Sequence, residues 1–480
     1  MDAYQIRALI FSVLAVLTFY KLIYKWMGFA VKAKKFDKAP QTKKYGIVVA
    51  ARNEQLVIGN LVDSLHSQTY PRENYRVFVV ADNCDEDDRT AEIAREHGAT
   101  VYERHCPEKA RKGWALEFLF ENIEKDFGIQ SFDGYLFFDA DNLVSPDYLE
   151  RMNEAFSTGV DGVVGYRNSK NFDQNMISAH YAMHFMRSSM IWHRPRSRMG
   201  LCTHIAGTGY LLSSEMLKDG WHYFSLTEDT QATMDFAVQG KRIEYCEAAE
   251  FYDEQPYQIK VMLRQRIRWA KGRMACFFQY GFRMFSGLVK IFKKTEVRDA
   301  LPVTLTGYEK GSFKNLSFRK KVEFVISWCM DLCSFIVDGF AKIFKLIAKN
   351  FTNFDMIFYL LPLGFIKRMI YIAFFIVEVW IGWQVGGLLT EGMLPFVGSV
   401  IQIICGTLPT YLRNVFFAVL LVIREHRHIQ CSKGKLVWYV ITWPLYDMIY
   451  AYLCLASLFM KVTWKPIKHD VVKTIDEMNK

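Results

Sequence analysis

YGIVVAARNE, residues 45–54, is a seven-residue apolar run that stops abruptly on an arginine, an asparagine and a carboxylate. Short apolar runs rich in β-branched and aromatic residues read as buried strands. RVFVVA (76–81) has the same form and stops on Asp82-Asn83; ATVYE (99–103) and GYLFF (134–138) follow, the latter stopping on Asp139-Ala140-Asp141. Helical patterns come after each run, over 54–68, 88–97, 111–125 and 146–157. Strands alternating with helices predict an α/β domain: a mostly parallel sheet with covering helices. Such sheets bind ligands beyond the carboxyl ends of their strands, where Arg52, Glu54, Asp82, Asp139 and Asp141 gather. That edge is the expected site.

The rest of the chain is of another kind. Its 480 residues are 51% hydrophobic and 15% aromatic, with 60 Lys+Arg against 50 Asp+Glu. This excludes a disordered chain, a collagen-like chain and a small disulfide scaffold. The apolar residues are gathered at the two ends. Residues 8–31 read as an uncleaved membrane anchor in which Lys21 and Lys25 snorkel. Seven lysines over 25–44 against Asp37 then place the N-terminus outside and the following domain in the cytoplasm. The runs 369–390 (one charge, Glu378) and 392–423 (one charge, Arg413) read as a span out and a span back. Residues 436–460, with Pro444 and Asp447, read as interfacial, re-entrant or a hairpin. Residues 322–349, with Asp331 and Asp338, read as an in-plane amphipathic helix. The expected units are an anchor (1–36), a catalytic domain (37–256), interfacial helices (257–355), membrane segments (356–460) and a cytoplasmic tail (461–480). The surplus charge of +10 collects beside the apolar segments, which suits anionic headgroups or an anionic substrate and not nucleic acid. No cysteines stand in a CxxC pair, so they read as reduced packing residues.

The chain lacks GxxxxGK and GxGxxG, which excludes a P-loop ATPase and a nicotinamide dehydrogenase. Asp139 and Asp141, at a strand-to-loop bend, can approach one Mg²⁺ or Mn²⁺; alternatively they cap the helix that begins near Pro146. Thr227-Glu228-Asp229 heads a helical run, with Thr227 a natural N-cap and the acids suited to the helix dipole. Gln265, Arg268 and Trp269 share one helical face and offer an amide, a guanidinium and an indole together.

In this order the motifs resemble the family 2 glycosyltransferases, particularly the membrane-embedded processive synthases of cellulose, hyaluronan and chitin-type chains. The residues carrying the resemblance are VVAARNE (48–54), Asp82 in VVADNCDEDD, Lys112 in KGWAL, Asp139-Ala140-Asp141, Gly207-Thr208-Gly209, Thr227-Glu228-Asp229 and Gln265–Trp269. The resemblance implies a GT-A-type fold, a UDP-sugar donor and a divalent cation. It implies that Ala50, Arg52, Glu54, Asp82, Lys112 and Asp139 form the nucleotide pocket, and that Asp141, with Asp139, binds the metal. Asp229, beside Glu228, is then the general base, while Gln265 and Arg268 steady the departing diphosphate. Gly207, Thr208, Gly209 and Trp269 would meet the acceptor, and Trp464, Lys465 and Lys468 would belong to a gating segment. The expected product is a β-linked polysaccharide, made by an inverting enzyme of the plasma membrane and threaded across the bilayer, with export subunits as conceivable partners. Trp380, Trp383, Trp438 and Trp443 are candidates for a sugar-stacking channel lining. Addition of a single sugar to a lipid carrier or short acceptor is the alternative, and a catalytically silent scaffold a remote one.

Overall fold

The computed structural model describes residues 3–287, 317–386, 393–463, 466–467 and 469–478. Among these the strands are β1 (Tyr45–Ala51), β2 (Tyr75–Asp82), β3 (Thr100–Arg104), β4 (Gly134–Asp139), β5 (Leu143–Val144), β6 (Gly162–Ser169), β7 (Tyr210–Ser213) and β8 (Ile243–Asp253). They form one sheet in the order β3-β2-β1-β4-β7-β6-β8-β5. The four strands foreseen from sequence are its parallel half: Val49 stands beside Val79 on one side and Phe138 on the other. The other half departs from the parallel expectation. β7 runs antiparallel to β4 and β6, and β5 antiparallel to β8, while β6 and β8 are parallel. The sheet is therefore mixed. β5 and β7 are only two and four residues long, and β8 is interrupted by three glutamates, so none stands out as an apolar run.

The helices, in chain order, are α1 (Ala3–Thr18), α2 (Tyr20–Ala30), α3 (Ile58–His66), α4 (Thr90–Glu96), α5 (Lys112–Asp126), α6 (Tyr148–Phe156), α7 (Met176–Ser188), α8 (Arg194–Arg198), α9 (Glu228–Gln239), α10 (Ile259–Gly287), α11 (Phe318–Leu360), α12 (Leu363–Gly386), α13 (Met393–Glu425), α14 (Lys433–Phe459) and α15 (Ile475–Met478). Side chains alternate across a strand, and the two faces of the sheet divide accordingly. Ile47, Val49, Val77, Val79, Leu136 and Phe138 pack on α3 and α6. Val48, Phe78, Val80, Tyr135 and Phe137 pack on the side of α5, α9, α10 and the end of α11. This sandwich holds the carboxyl ends of β1, β2 and β4 at one rim.

A further core, from α7, α10, α13 and α14, joins the helical portion to the domain. Ion pairs reinforce that seam. α8 reads RPRSR, and its arginines reach three ways: Arg194 to Glu247 and Glu425, Arg196 to Asp355, and Arg198 to Asp338. Arg196 and Asp355 are 0% and 1% exposed, with Nε 2.6 Å from the carboxylate. Removing one member of a fully buried pair strands the other's charge, at a cost of about 3–5 kcal/mol. Arg196→Ala should accordingly unfold at markedly lower temperature in a detergent melt, whereas loss of the exposed Lys218–Glu215 pair should leave the melt within a degree or two.

Among the described residues, Thr407–His428 is by itself long and apolar enough to cross a bilayer. Two bent pairs raise the number to three if each counts as one span: Gln5–Thr18 with Tyr20–Ala30, bent by 42°, and Phe351–Leu360 with Leu363–Val377, bent by 58°. The expectation of a hairpin or re-entrant loop at 436–460 is corrected: α14 is one continuous helix with Pro444 inside it. Proline removes a backbone donor, and side chains from packed neighbours supply others nearby. Tyr411 donates to the Ile441 carbonyl, Arg266 to that of Tyr446 and Arg368 to that of Met448. α11 is amphipathic, and two of its acids are paired: Asp331 with Lys32 and Asp338 with Arg198.

Candidate active site

Each strand of the parallel half delivers a polar side chain to the rim, because its apolar run ends there. β2 ends on Asp82, which is gripped from both sides by Arg52 and by Arg104, the last residue of β3. β4 ends on Asp139, whose carboxylate is paired with Lys112 at the start of α5. The Lys112 ammonium also donates to the Gly207 carbonyl at 2.8 Å. Burial opposes its charge, but Asp139, Glu228 and Asp229 hold its pKa above the ordinary lysine value. Beyond β4 the chain turns, so Asp139 and Asp141 face the same place and not opposite faces.

A third carboxylate joins them. Oxygens of Asp139, Asp141 and Asp253 lie within 4.8 Å of one another. Asp253, the last residue of β8, is held by Arg167 Nε at 2.9 Å, Asn142 Nδ2 at 2.8 Å and Gln255 Nε2 at 2.7 Å. Burial pushes its carboxyl up to about 6, with Asp141 adding to the rise. Three converging hard oxygen donors suit Mg²⁺ or Mn²⁺.

The tail is stitched across this edge. Asp470 and Val471 donate backbone N–H groups to Glu254, and Tyr257 donates to Asp470. His469 Nδ1 lies 2.9 Å from Glu54 Oε1, and its Nε2 lies 4.0 Å from Asp141. Burial works against a charged imidazole, yet Asp141, Glu54 and Glu254 hold it charged, up to about 10. Glu54 itself is pushed up to about 7 by burial. The gating candidates Trp464, Lys465 and Lys468 lie outside the described residues.

Glu228 and Asp229 open α9, close enough to Lys112 to act on its charge. Thr227 stands at the N-cap but makes no side-chain cap bond; Asp229 instead accepts from the Thr230 backbone N–H at 2.7 Å. Burial raises both carboxyls above their ordinary values, and Asp229 lifts Glu228 further. Lys112, Arg268 and Arg273 oppose the rise at Asp229. Arg268 is steadied by the Leu226 carbonyl at 2.7 Å. Gln265 presents a buried amide oxygen with no hydrogen-bond partner among the described residues. Trp269 packs on Tyr181, His184 and Phe185 and still lines the cavity.

One cavity of about 1790 Å³ touches Ala50, Arg52, Glu54, Asp82, Lys112, Asp139, Asp141, Gly207, Glu228, Asp229, Gln265, Arg268 and Trp269. Of the foreseen donor, metal, base and acceptor residues, all but Thr208 and Gly209 line it. Thr208 is buried behind the cavity, where its hydroxyl accepts from the Asp139 N–H at 2.9 Å and binds Asn142. Gly209 has φ +64°, and a Cβ there would lie 2.0 Å from the Phe251 ring. Thr208 thus supports the backbone at Asp139, and Gly209 lets its segment pass close against Phe251. Gly209→Ala should therefore cost folding yield and lower the melting temperature, a change read by size-exclusion profile. Among the channel candidates Trp443 lines the cavity, Trp380 and Trp438 are exposed, and the side chain of Trp383 lies outside the described residues.

Sequence reading missed Arg104, Asp253, Arg273 and the position of His469. Arg104 and Asp253 carry the same signal as Asp82 and Asp139, a charge ending a strand. In β8 the signal was diluted by Glu244, Glu247 and Glu250.

Residues 40–272 match the family described as glycosyltransferase-like family 2. A probable glycosyltransferase, YdaM, of Bacillus subtilis is 24% identical over 53% of this chain and 59% of its own length. A β-monoglucosyldiacylglycerol synthase of Trichormus variabilis is 25% identical over 49% of this chain and 50% of its own. The chain thus spans about half to three-fifths of these relatives. A solved structure, the mannosyltransferase PcManGT of Pyrobaculum calidifontis with GDP-Man and Mn²⁺, covers 94% of this chain at 14% identity and a TM-score of 0.46. Together with the strand-end carboxylates, the match over 40–272 supports a glycosyltransferase-like family 2 domain in that part of the chain.

Proposed function

We propose that this chain transfers a hexose, with inversion, from a UDP-sugar to a hydroxyl acceptor that reaches Asp229 from the helical side of the cavity. The observation that carries the proposal is the meeting of two acidic groups in one cavity. Asp139, Asp141 and Asp253 form one group, and Glu228 and Asp229, with Arg268, form the other. A divalent cation held by the three aspartates would neutralise the donor's phosphates and favour departure of the nucleotide. Asp229 takes the acceptor proton, the acceptor oxygen bonds to the anomeric carbon, and the carbon–phosphate-oxygen bond breaks with its electron pair leaving on UDP. Arg268 and Lys112 meet the growing negative charge. A single displacement without a protein nucleophile inverts the anomeric centre, so an α-linked donor gives a β-linked product.

Two acceptors fit. A growing polysaccharide, elongated at the cytoplasmic face of the plasma membrane and threaded through the helical portion, is the reading that follows from the motif order. A membrane lipid receiving one sugar is the second, favoured by the name of the Trichormus relative. Purified protein given radiolabelled UDP-sugars in a lipid bilayer distinguishes them. High-mass label that a β-glycanase digests supports the polymer, and organic-phase label carrying one sugar supports the lipid. Label incorporated only from GDP-sugars would overturn the donor assignment.

A further inference from the structure

The same cavity continues from the reacting groups into the helical portion, and its far end is cationic. Lys25 on α2, Lys367 on α12 and Arg413 on α13 all line it. None of the three has a carboxylate partner among the described residues; Lys25 rests over the Phe417 ring at 4.6 Å. The nearby cations are already engaged: Lys21 donates to the Phe358 carbonyl, Arg368 to that of Met448, and Arg187 pairs with Asp447 at 2.7 Å. Among the charges acting on the Lys25 ammonium, Arg413, Arg187 and Lys367 repel it and Asp447, already paired with Arg187, attracts it. Three separate helices thus bring uncompensated positive charge to one place between apolar segments, where such charge is costly unless it has a partner.

The walls beside these cations are apolar and reach the outer surface. Tyr371, Ile372 and Ile376 of α12 line the cavity and are also 49%, 44% and 60% exposed. The cavity therefore opens sideways through a helix face that carries apolar side chains. A cationic floor and an apolar side door select an amphiphile with an anionic head. A neutral glycan chain has no use for the three charges, and an inorganic anion has no use for the door.

We propose that Lys25, Lys367 and Arg413 hold the phosphate of a membrane lipid whose polar end extends along the cavity towards Asp229. The proposal deepens the glycosyl-transfer reading and rests on it for the role of the other half of the cavity. It makes the lipid's phosphate, and not only its hydroxyl, part of what the protein recognises.

The test uses the full chain in neutral detergent with radiolabelled dioleoyl phosphatidylglycerol and dioleoylglycerol as probes. Wild type should retain the phosphatidylglycerol and not the diacylglycerol. The variant Lys25→Gln/Lys367→Gln/Arg413→Gln should bind it about a hundredfold more weakly. The charge-preserving variant Lys25→Arg/Lys367→Arg/Arg413→Lys should restore binding to within about threefold, which separates lost charge from lost folding. Equal retention of both lipids, or unchanged retention by the glutamine variant, overturns the assignment. Displacement by an equal concentration of inorganic phosphate assigns the pocket to a free anion, and displacement by polygalacturonate assigns it to an anionic polymer; either overturns the lipid. Calorimetry of UDP with Mn²⁺ on the same preparations is the separate arm. Lipid retention without UDP binding would defeat the transferase reading and leave the lipid site standing.

Discussion

Asp229→Asn is expected to lower glycosyl transfer by about 10²–10⁴-fold while UDP binding in the presence of Mn²⁺ stays within about twofold. The substitution keeps shape and the hydrogen bond from the Thr230 N–H, and removes only the capacity to take a proton. A sugar hydroxyl is a weak nucleophile, so the loss falls on the chemical step and appears in kcat. Asp229 stands outside the group formed by Asp139, Asp141 and Asp253, which is why the nucleotide should be indifferent to it. Equal loss of binding and transfer would instead make Asp229 part of the donor pocket. The pH profile is an independent check. Burial raises both Asp229 and Glu228, the latter to about 7, and the base works only when ionised. The acid limb of kcat/KM should therefore lie above the ordinary carboxylate value near 4. Rate should fall as pH drops through that limb, with Glu228→Gln moving it to lower pH because a repelling neighbour is gone. Lys112, Arg268 and Arg273 face the same carboxylate, so their neutral variants should move it the other way.

The parallel half of the sheet was legible because its strands are uninterrupted apolar runs, each ending on a charge. Ala51 to Arg52, Ala81 to Asp82 and Phe138 to Asp139 are sharp transitions, and the structure puts all three at one rim. Asp229 and Arg268 were legible only through motif order, since a helix start and a basic helix carry such residues without any catalytic role. The antiparallel half was not legible. β5 and β7 owe their place to neighbours rather than to their own composition, and β8 alternates acids that find partners only after folding: Glu244 with Lys34, Glu247 with Arg194, Glu250 with His428. The same holds for the tail. His469 was visible within WKPIKH, but its position beside Glu54, 415 positions earlier, and Asp141 depends on the intervening chain folding back onto the rim. In the helical portion, charge counting located the apolar runs but not the partners of Asp331 and Asp338. Both are committed to pairs with Lys32 and Arg198, and no count along one helix reveals a partner on another.

Asp253 gives the second large effect, and it is the residue that a DxD motif alone does not supply. Its carboxylate meets those of Asp139 and Asp141 while it also accepts from Arg167, Asn142 and Gln255. Asp253→Asn keeps the size and an acceptor oxygen but removes one negative charge from the cluster. If the cluster binds the divalent ion, the affinity for UDP measured with Mn²⁺ should fall by at least about tenfold, matching Asp141→Asn, and the difference with and without Mn²⁺ should nearly vanish in both. A carboxylate that serves only to hold Arg167 predicts a different outcome: a lower melting temperature with the Mn²⁺ increment intact. Asp82→Asn is the control, since Asp82 is gripped by Arg52 and Arg104 and stands outside the three-carboxylate group; it should weaken UDP binding while preserving its dependence on Mn²⁺. The sign with pH follows from protonation. Burial holds Asp253 up to about 6, and a protonated carboxyl competes with the ion, so Mn²⁺ affinity should weaken as pH falls through about 6. Asp253→Asn, having no proton to gain there, should lose that step. A wild-type affinity for Mn²⁺ that is flat between pH 5 and 7 would remove Asp253 from the metal site.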